Sequence, residues 1–240
     1  MNKSGTTIDL SVVILNFNTR DLTRACLLTV LNSRLGKYRM EVIVCDNGST
    51  DGSQEMIEND FPGVNFIKNG KNVGFAAGNN PGIRRAKGRY VLLLNTDTEV
   101  PPETFSAMIA FMDDHKDAGA ATCKILLPGG SMDAACHRGF PTPWVAFTYV
   151  TKLEKLFPKT RLFGEYHQGY KDFSKVHEVD CIVGAFFMVR RAVIEDVGLL
   201  DEDYFMYGED IDWAYRIRSK GWKILFNPEV TILHKKKQSG

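Results

Sequence analysis

The sequence predicts an α/β fold in which a mostly parallel central sheet is flanked by helices. Two observations predict it. Apolar runs of strand length alternate with stretches of helical period through the first half of the chain. Short polar clusters follow directly on three of those runs, as they do where parallel strands hand over to crossover helices.

Taken in order, Ile8 to Leu15 is a β-branched apolar run, and the helix after it has Asp21 as a cap and an inward face of Leu22, Cys26, Val30 and Leu31. Glu41 to Cys45 reads as a second strand, Ser53 to Asn59 as a helix and Val64 to Lys68 as a third strand. Gly78 to Lys87 has helical character, with Pro81 tolerable in a first turn. Tyr90 to Leu94 is a fully buried strand, and Pro101 to Asp113 a further helix. Beyond Lys116 the rhythm changes. Ala120 to Leu127 and Ser131 to Cys136 flank Pro128-Gly129-Gly130 as in a hairpin. Pro141 to Glu178 is aromatic, basic and weakly periodic, which reads as a partly mobile segment facing a second substrate. Order returns at Val179 to Val189, then a helix over Asp210 to Lys220 and a last strand over Val230 to Leu233. One domain over 1–240 is expected, with a ligand-binding half over about 1–116 and a second half over about 117–240.

The composition narrows the function classes. With Lys+Arg at 30, Asp+Glu at 29 and a formal net charge of +1, no global field recommends nucleic acid as a partner. Five cysteines without a Cys-x-x-Cys pair argue against a zinc or redox motif and suit buried thiols in a cytoplasmic protein. The start lacks a signal-peptide core, and no apolar run approaches the ~20 residues of a membrane span. Lys235-Lys236-Lys237 is a solvated tail or a weak attraction to the inner face of an anionic membrane.

Ligands of such sheets bind beyond the carboxyl ends of the strands. Three polar clusters belong there: Asn16-Phe17-Asn18, Asp46 to Ser53, and Asn95-Thr96-Asp97. Asp46 ends a strand, where its carboxylate suits a pyrimidine N–H or a ribose hydroxyl; its Asn-Gly and Asp-Gly pairs equally suit a plain turn. Asp97, facing a diphosphate, suits Mg²⁺ or Mn²⁺, and equally suits a cap for the helix begun by Pro101. Asn72-Val73-Gly74-Phe75-Ala76-Ala77-Gly78-Asn79 permits close approach at a helix N-terminus and lacks a Walker ending. Glu209, Asp210 and Asp212 gather where a helix begins, as capping acids or as a general base beside Tyr204-Phe205-Met206-Tyr207. Arg216 sits at pairing distance from Asp212.

The ordered set of these motifs resembles family 2 of the inverting glycosyltransferases, with its Rossmann-like GT-A fold and an acceptor-side extension, and within it the bacterial rhamnosyltransferase-like branch. The resemblance implies that Asn16, Asp46, Asp51, Asn72, Gly74, Asn79 and Asn95 belong to the donor side, with Asp46 on the pyrimidine and Asp51 organising its pocket. It implies that Asp97 and His234 serve a divalent metal, Mg²⁺ or Mn²⁺, that Asp210 is the general base with Glu209 beside it, and that Gly184 and Trp213 lie on the acceptor side. Asn95 stands where the motif's first Asp is expected, and the chain stops earlier than this branch suggests, so a C-terminal acceptor or membrane element is expected beyond it. The implied activity moves a sugar from dTDP-rhamnose or a UDP-hexose to a polysaccharide or lipid-linked acceptor. The rivals are a catalytically silent sugar-nucleotide-binding module and a sugar nucleotidyltransferase. The latter wants a Gly-rich loop where Asn16-Phe17-Asn18-Thr19-Arg20 stands, and a dinucleotide dehydrogenase wants Gly-x-Gly-x-x-Gly there.

Overall fold

The computed structural model of the chain describes residues 7–235. β1 (Leu10–Asn16) is followed by α1 (Arg20–Leu31), β2 (Met40–Asp46), α2 (Ser53–Asp60), β3 (Asn65–Lys68), α3 (Phe75–Arg85) and β4 (Tyr90–Asn95). β1 pairs in parallel with β2 and with β4, and β2 with β3. This half is the expected parallel sheet. β1, β2 and β4 are buried over most of their length, whereas the edge strand β3 is only partly buried.

β5 (Thr98–Glu99), α4 (Thr104–Asp114) and β6 (Ala118–Leu126) come next, then α5 (Pro143–Val150), α6 (Leu153–Leu156) and β7 (His177–Glu178). The chain ends in β8 (Phe186–Arg190), α7 (Arg191–Val197), α8 (Glu209–Ser219) and β9 (Lys223–His234). The strand order is β3-β2-β1-β4-β8-β6-β9-β5, with β7 pairing β9. Here the sheet turns mixed: β8 runs antiparallel to β4 and β6, while β9 is parallel to β6.

Several expectations shift for physical reasons. In α1 the inward face uses Leu27 and leaves Leu31 exposed, because Thr23, Cys26, Leu27 and Val30 form the buried stripe; Thr19 is the capping position and Asp21 lies inside the first turn. α3 starts at Phe75, so Pro81 falls mid-helix rather than in the first turn. Gly78 and Gly82 offset that flaw by letting the helix lie close on β1 and β2. A Cβ on Gly82 would stand 2.6 Å from Val13 Cγ1 and 2.8 Å from Cys45 Sγ. The expected hairpin after β6 shrinks to one bridge, Leu126 with Met132, and a 3-10 turn at Ala134–Cys136. The stretch 141–178, expected to be partly mobile, holds α5, α6, β7 and a series of hydrogen-bonded turns. β9 is a 12-residue strand, far longer than its apolar end suggests.

Gly82→Ala should lower stability by about 1–3 kcal/mol through overpacking, outweighing its helix-propensity gain of ~1 kcal/mol. Urea unfolding tests this; an unchanged or raised midpoint would refute the close packing of α3 on β1 and β2.

Candidate active site

The register of the sheet builds one rim. Asn16 is opposite Asp46, and Leu15 is opposite Asn95, so β1, β2 and β4 end level with one another. Beyond that rim lies a cleft of about 630 Å³. Phe17, Thr19, Asn72, Gly74 and the run Asn95-Thr96-Asp97 line its sheet side. Val183-Gly184-Ala185, Met206 to Ile211, Arg138, Tyr166 and His234 line the cleft as well.

Gly74 is held by necessity. Its φ is +87°, and a Cβ there would meet Phe205 O at 2.2 Å. Phe75 N donates to the same carbonyl at 2.7 Å, which ties the loop before α8 to the start of α3. Asn72 Oδ1 accepts from Gly74 N at 3.0 Å and closes that turn. Gly184 is equally constrained, since a Cβ would stand 2.8 Å from the Phe75 ring.

Asp97 and His234 both line the cleft. The short antiparallel pairing of β5 with β9 sets Thr98 opposite His234, and Lys235 N donates to Asp97 O at 2.8 Å. His234 Nε2 lies 3.1 Å from Asp97 Oδ1, and its Nδ1 lies 3.2 Å from Asp133 Oδ2. Burial pushes the imidazole pKa down; the bonds to Asp133 and Asp97 outweigh it and lift the group to about 9. The two carboxylates thus favour the protonated imidazole between them. The donor set suits a divalent cation: a carboxylate oxygen faces an imidazole nitrogen whose opposite nitrogen is fixed by Asp133, and binding would release the proton from Nε2. Among the described residues no group of three or more His, Cys, Asp or Glu is arranged to hold a metal ion by itself.

The start of α8 also lines the cleft: Gly208 (φ +102°) turns the chain, and Glu209 and Asp210 occupy the first turn, favoured by the helix dipole. Asp210 Oδ2 accepts from Arg138 Nη2 at 2.6 Å, both side chains being largely buried. Glu209 is buried, and its Oε2 has no hydrogen-bond partner among the described residues. Desolvation raises its pKa, and the neighbouring Asp210 charge adds to the rise.

Other expected residues fall outside the cleft wall. Asp46 is fully buried and turned under its own loop. Its carboxylate accepts from Asn16 Nδ2 at 2.6 Å, Gly48 N at 3.0 Å, Ser49 N at 2.9 Å and Gln54 Nε2 at 2.7 Å. Asn16 is buried beside it and also accepts from Thr19 and Thr23, so both side chains hold the rim together, while Asn47 reaches the cleft. Asp51 accepts from Arg20 N at 2.8 Å and Ser53 N at 3.0 Å, outside the cleft, which makes it an organiser of the loop. Asn79 is buried and donates to Phe75 O at 2.9 Å. Trp213, expected on the acceptor side, does not line the cleft: it is fully buried against Phe187 and donates to Gly198 O at 2.9 Å. Arg216 pairs with Asp212 as its spacing implies, and Arg218 with Glu178. Lys235 pairs with Glu99, and Lys236 and Lys237 lie outside the described residues. Sequence reasoning missed Arg138, Asp133 and Tyr166. The signal for Arg138 is a lone arginine in Cys136-His137-Arg138-Gly139-Phe140, where a charge needs a partner.

The family model of "Glycosyl transferase family 2" matches residues 11–198. The chain belongs to that family. An N-acetylglucosaminyl-diphospho-decaprenol L-rhamnosyltransferase of Mycobacterium tuberculosis (strain ATCC 25618 / H37Rv) is 28% identical over 211 residues, covering 83% of this chain and 68% of the relative. The rhamnosyltransferase WbbL of Escherichia coli (strain K12) is 25% identical over 230 residues, covering 93% of this chain and 82% of the relative. Among solved structures, a mannosyltransferase of Pyrobaculum calidifontis in complex with GDP-Man and Mn²⁺ superposes with a TM-score of 0.69 at 17% identity, covering 98% of this chain and 59% of that one. TarS 1-349 of S. aureus in complex with UDP gives a TM-score of 0.65 at 17% identity and 95% coverage of this chain, which covers 60% of that one. The fold is thus the expected GT-A architecture, and the chain is a family 2 glycosyltransferase.

The strained environment of Glu209 has a measurable consequence. Its folded pKa lies above the unfolded value, so ionising it in place costs stability, and the cost appears as pH rises from the unfolded value through the folded one. Glu209→Gln should therefore be more stable than the parent at pH 8, and the difference should shrink towards zero near pH 4. Thermal melts across that range decide it; a difference independent of pH would refute the buried-charge cost.

Proposed function

We propose that the chain transfers a sugar from a nucleoside-diphosphate sugar to a hydroxyl of a polysaccharide or lipid-linked glycan, inverting the anomeric centre. One observation supports this above the rest: a single cleft is lined both by the Asp97–His234 pair and by the Glu209-Asp210 carboxylates. The names of the rhamnosyltransferase relatives favour dTDP-rhamnose, and the UDP complex keeps a UDP-hexose in view. The diphospho-decaprenol in the mycobacterial relative's name favours a lipid-linked acceptor. A nucleotide-sugar donor favours a reaction on the cytoplasmic side.

The acceptor hydroxyl enters from the side of Gly184 and Tyr166, both of which line the cleft. Asp210 takes its proton as the hydroxyl oxygen bonds to the anomeric carbon. The bond from that carbon to the diphosphate oxygen breaks on the opposite face. Arg138 Nη2 fixes the Asp210 carboxylate through Oδ2 and Ile211 N donates to Oδ1 at 2.8 Å, which leaves a lone pair on each oxygen for a proton. Asp97 and His234 would hold Mg²⁺ or Mn²⁺, which would neutralise charge on the departing nucleoside diphosphate. Asn72, Asn95 and the Gly74 backbone line the donor side.

Asp210→Asn should reduce transfer by about 10²–10⁴-fold while donor-induced thermal stabilisation persists. The unpartnered Oε2 favours a second reading, in which Glu209 is the base. Parallel kinetics on Glu209→Gln separate the two: the larger loss in kcat, with donor binding intact, marks the base. Loss of donor stabilisation in Asp210→Asn would remove Asp210 from the chemistry of the acceptor.

In a second test, Asp97→Ala should abolish the extra thermal stabilisation that Mn²⁺ adds to a UDP- or dTDP-sugar. Undiminished metal dependence would refute the site at Asp97.

A further inference from the structure

The stretch 143–162 is built the wrong way round for a helix packing on a core. α5 buries only Val145 and Thr148, while Trp144, Phe147, Tyr149 and Val150 face solvent. The exposure continues through Leu156, Phe157 and Leu162. Seven large apolar side chains are exposed within twenty residues, and ring contacts link the aromatic ones at Trp144, Phe147 and Phe157. Trp144 stacks on Phe147 with ring centroids 5.6 Å apart, and Phe163 bridges Trp144 and Phe157 at 6.1 and 5.3 Å. Trp144 Nε1 donates to Leu162 O at 2.8 Å, closing the two ends of the stretch together. A contiguous apolar face of this kind on a water-exposed surface marks an interaction site.

Charge indicates what covers it. Lys152, Lys155, Lys159 and Arg161 are exposed around the apolar side chains. Glu154, the acid among them, is turned inward, where it accepts from His167 N at 2.8 Å and lies 3.0 Å from His167 Nδ1. Arg161 is partly offset by Glu165 at 3.6 Å, which leaves three unopposed lysines in the stretch. Aromatic side chains that carry a polar atom, aliphatic side chains and a lysine rim together fit an anionic lipid surface: rings and aliphatics enter the headgroup boundary while lysines meet phosphate.

We propose that α5, α6 and the turn after them dock the protein on an anionic lipid leaflet. The face joins the cleft directly. Tyr149 packs on Tyr166 with centroids 4.8 Å apart, and Tyr166 lines the cleft next to Arg138. Docking therefore sets the acceptor side of the cleft beside the leaflet. The inference rests on exposed side chains and stands whether or not the transfer reading holds.

The full chain floated with vesicles of phosphatidylcholine alone, or mixed with phosphatidylglycerol, tests it. Binding should be at least about tenfold stronger to the mixed vesicles, and Lys155→Glu with Lys159→Glu should cancel that gain. Val150→Ser with Leu156→Ser should weaken binding about tenfold. These positions are 76% and 70% exposed, so the melting temperature and any donor-induced stabilisation should not move. Of the three tryptophans Trp144 is exposed and Trp213 fully buried, so a blue shift of emission on mixed vesicles should disappear in Trp144→Phe. Equal binding to both vesicle types, variants that bind like the parent, or a shift that survives Trp144→Phe would overturn the proposal. So would a dimer that dissociates in the Val150/Leu156 variant while no vesicle binding is seen, since the face would then belong to a second copy.

Discussion

The parallel register of β1 between β2 and β4 is the constraint on which the cleft depends. It brings Asn16, Asp46 and Asn95 to one level, and the side chains there hold the rim by bonding one another. Asn16 is the hub: its amide donates to Asp46 and Ser49, and its carbonyl oxygen accepts from Thr19 and Thr23. A fully buried carboxylate such as Asp46 is tolerable because loop amides and two side-chain amides satisfy it. The same bonds keep the loop after β2 taut, which leaves Asn47 and Asn72 facing the open space.

The second half of the chain contributes by returning to that rim rather than by extending it. β8 inserts antiparallel beside β4, which carries Gly184 to the cleft mouth just before the strand begins. β9 then runs the width of the sheet's far side and ends against β5, so His234 arrives at Asp97. Two segments more than a hundred residues apart thus complete one charged pair. Asp133, on the turn after β6, supplies the second contact and explains why the imidazole keeps its orientation.

Local pattern and topology made much of this legible. The alternation of apolar runs gave the strands and helices of the first half, and the strand-end rule put polar clusters on one rim before any coordinate. What stayed hidden required knowledge of side-chain direction or of long-range pairing. A strand-end carboxylate such as Asp46 can turn outward to a ligand or inward to its own loop, and sequence does not distinguish them. Trp213 follows Asp210 by three residues and shares its helix face, yet one turn further in that face is covered by Phe187. Arg138 lies in a weakly periodic stretch, and its partner is 72 residues away. The antiparallel entry of β8 had no signature, because a buried strand reads the same in either direction.

The start of α8 shows how one helix turn gives adjacent acids different tasks. Asp210 and Glu209 share the favourable end of the helix dipole, but only Asp210 is matched by Arg138. Glu209 is left to bear desolvation, with one oxygen unpartnered and its pKa raised. A folded chain keeps such a cost where it has another use, which is why Glu209 stands as the alternative base beside the Arg138-paired Asp210. Arg138 is itself buried, so neutralising Asp210 would strand its charge, at a cost of about 3–5 kcal/mol for a broken buried pair. Stability measured on Asp210→Asn must therefore accompany its kinetics. The conservative amide keeps the shape and one acceptor oxygen for Arg138, which makes it a cleaner probe of proton transfer than alanine.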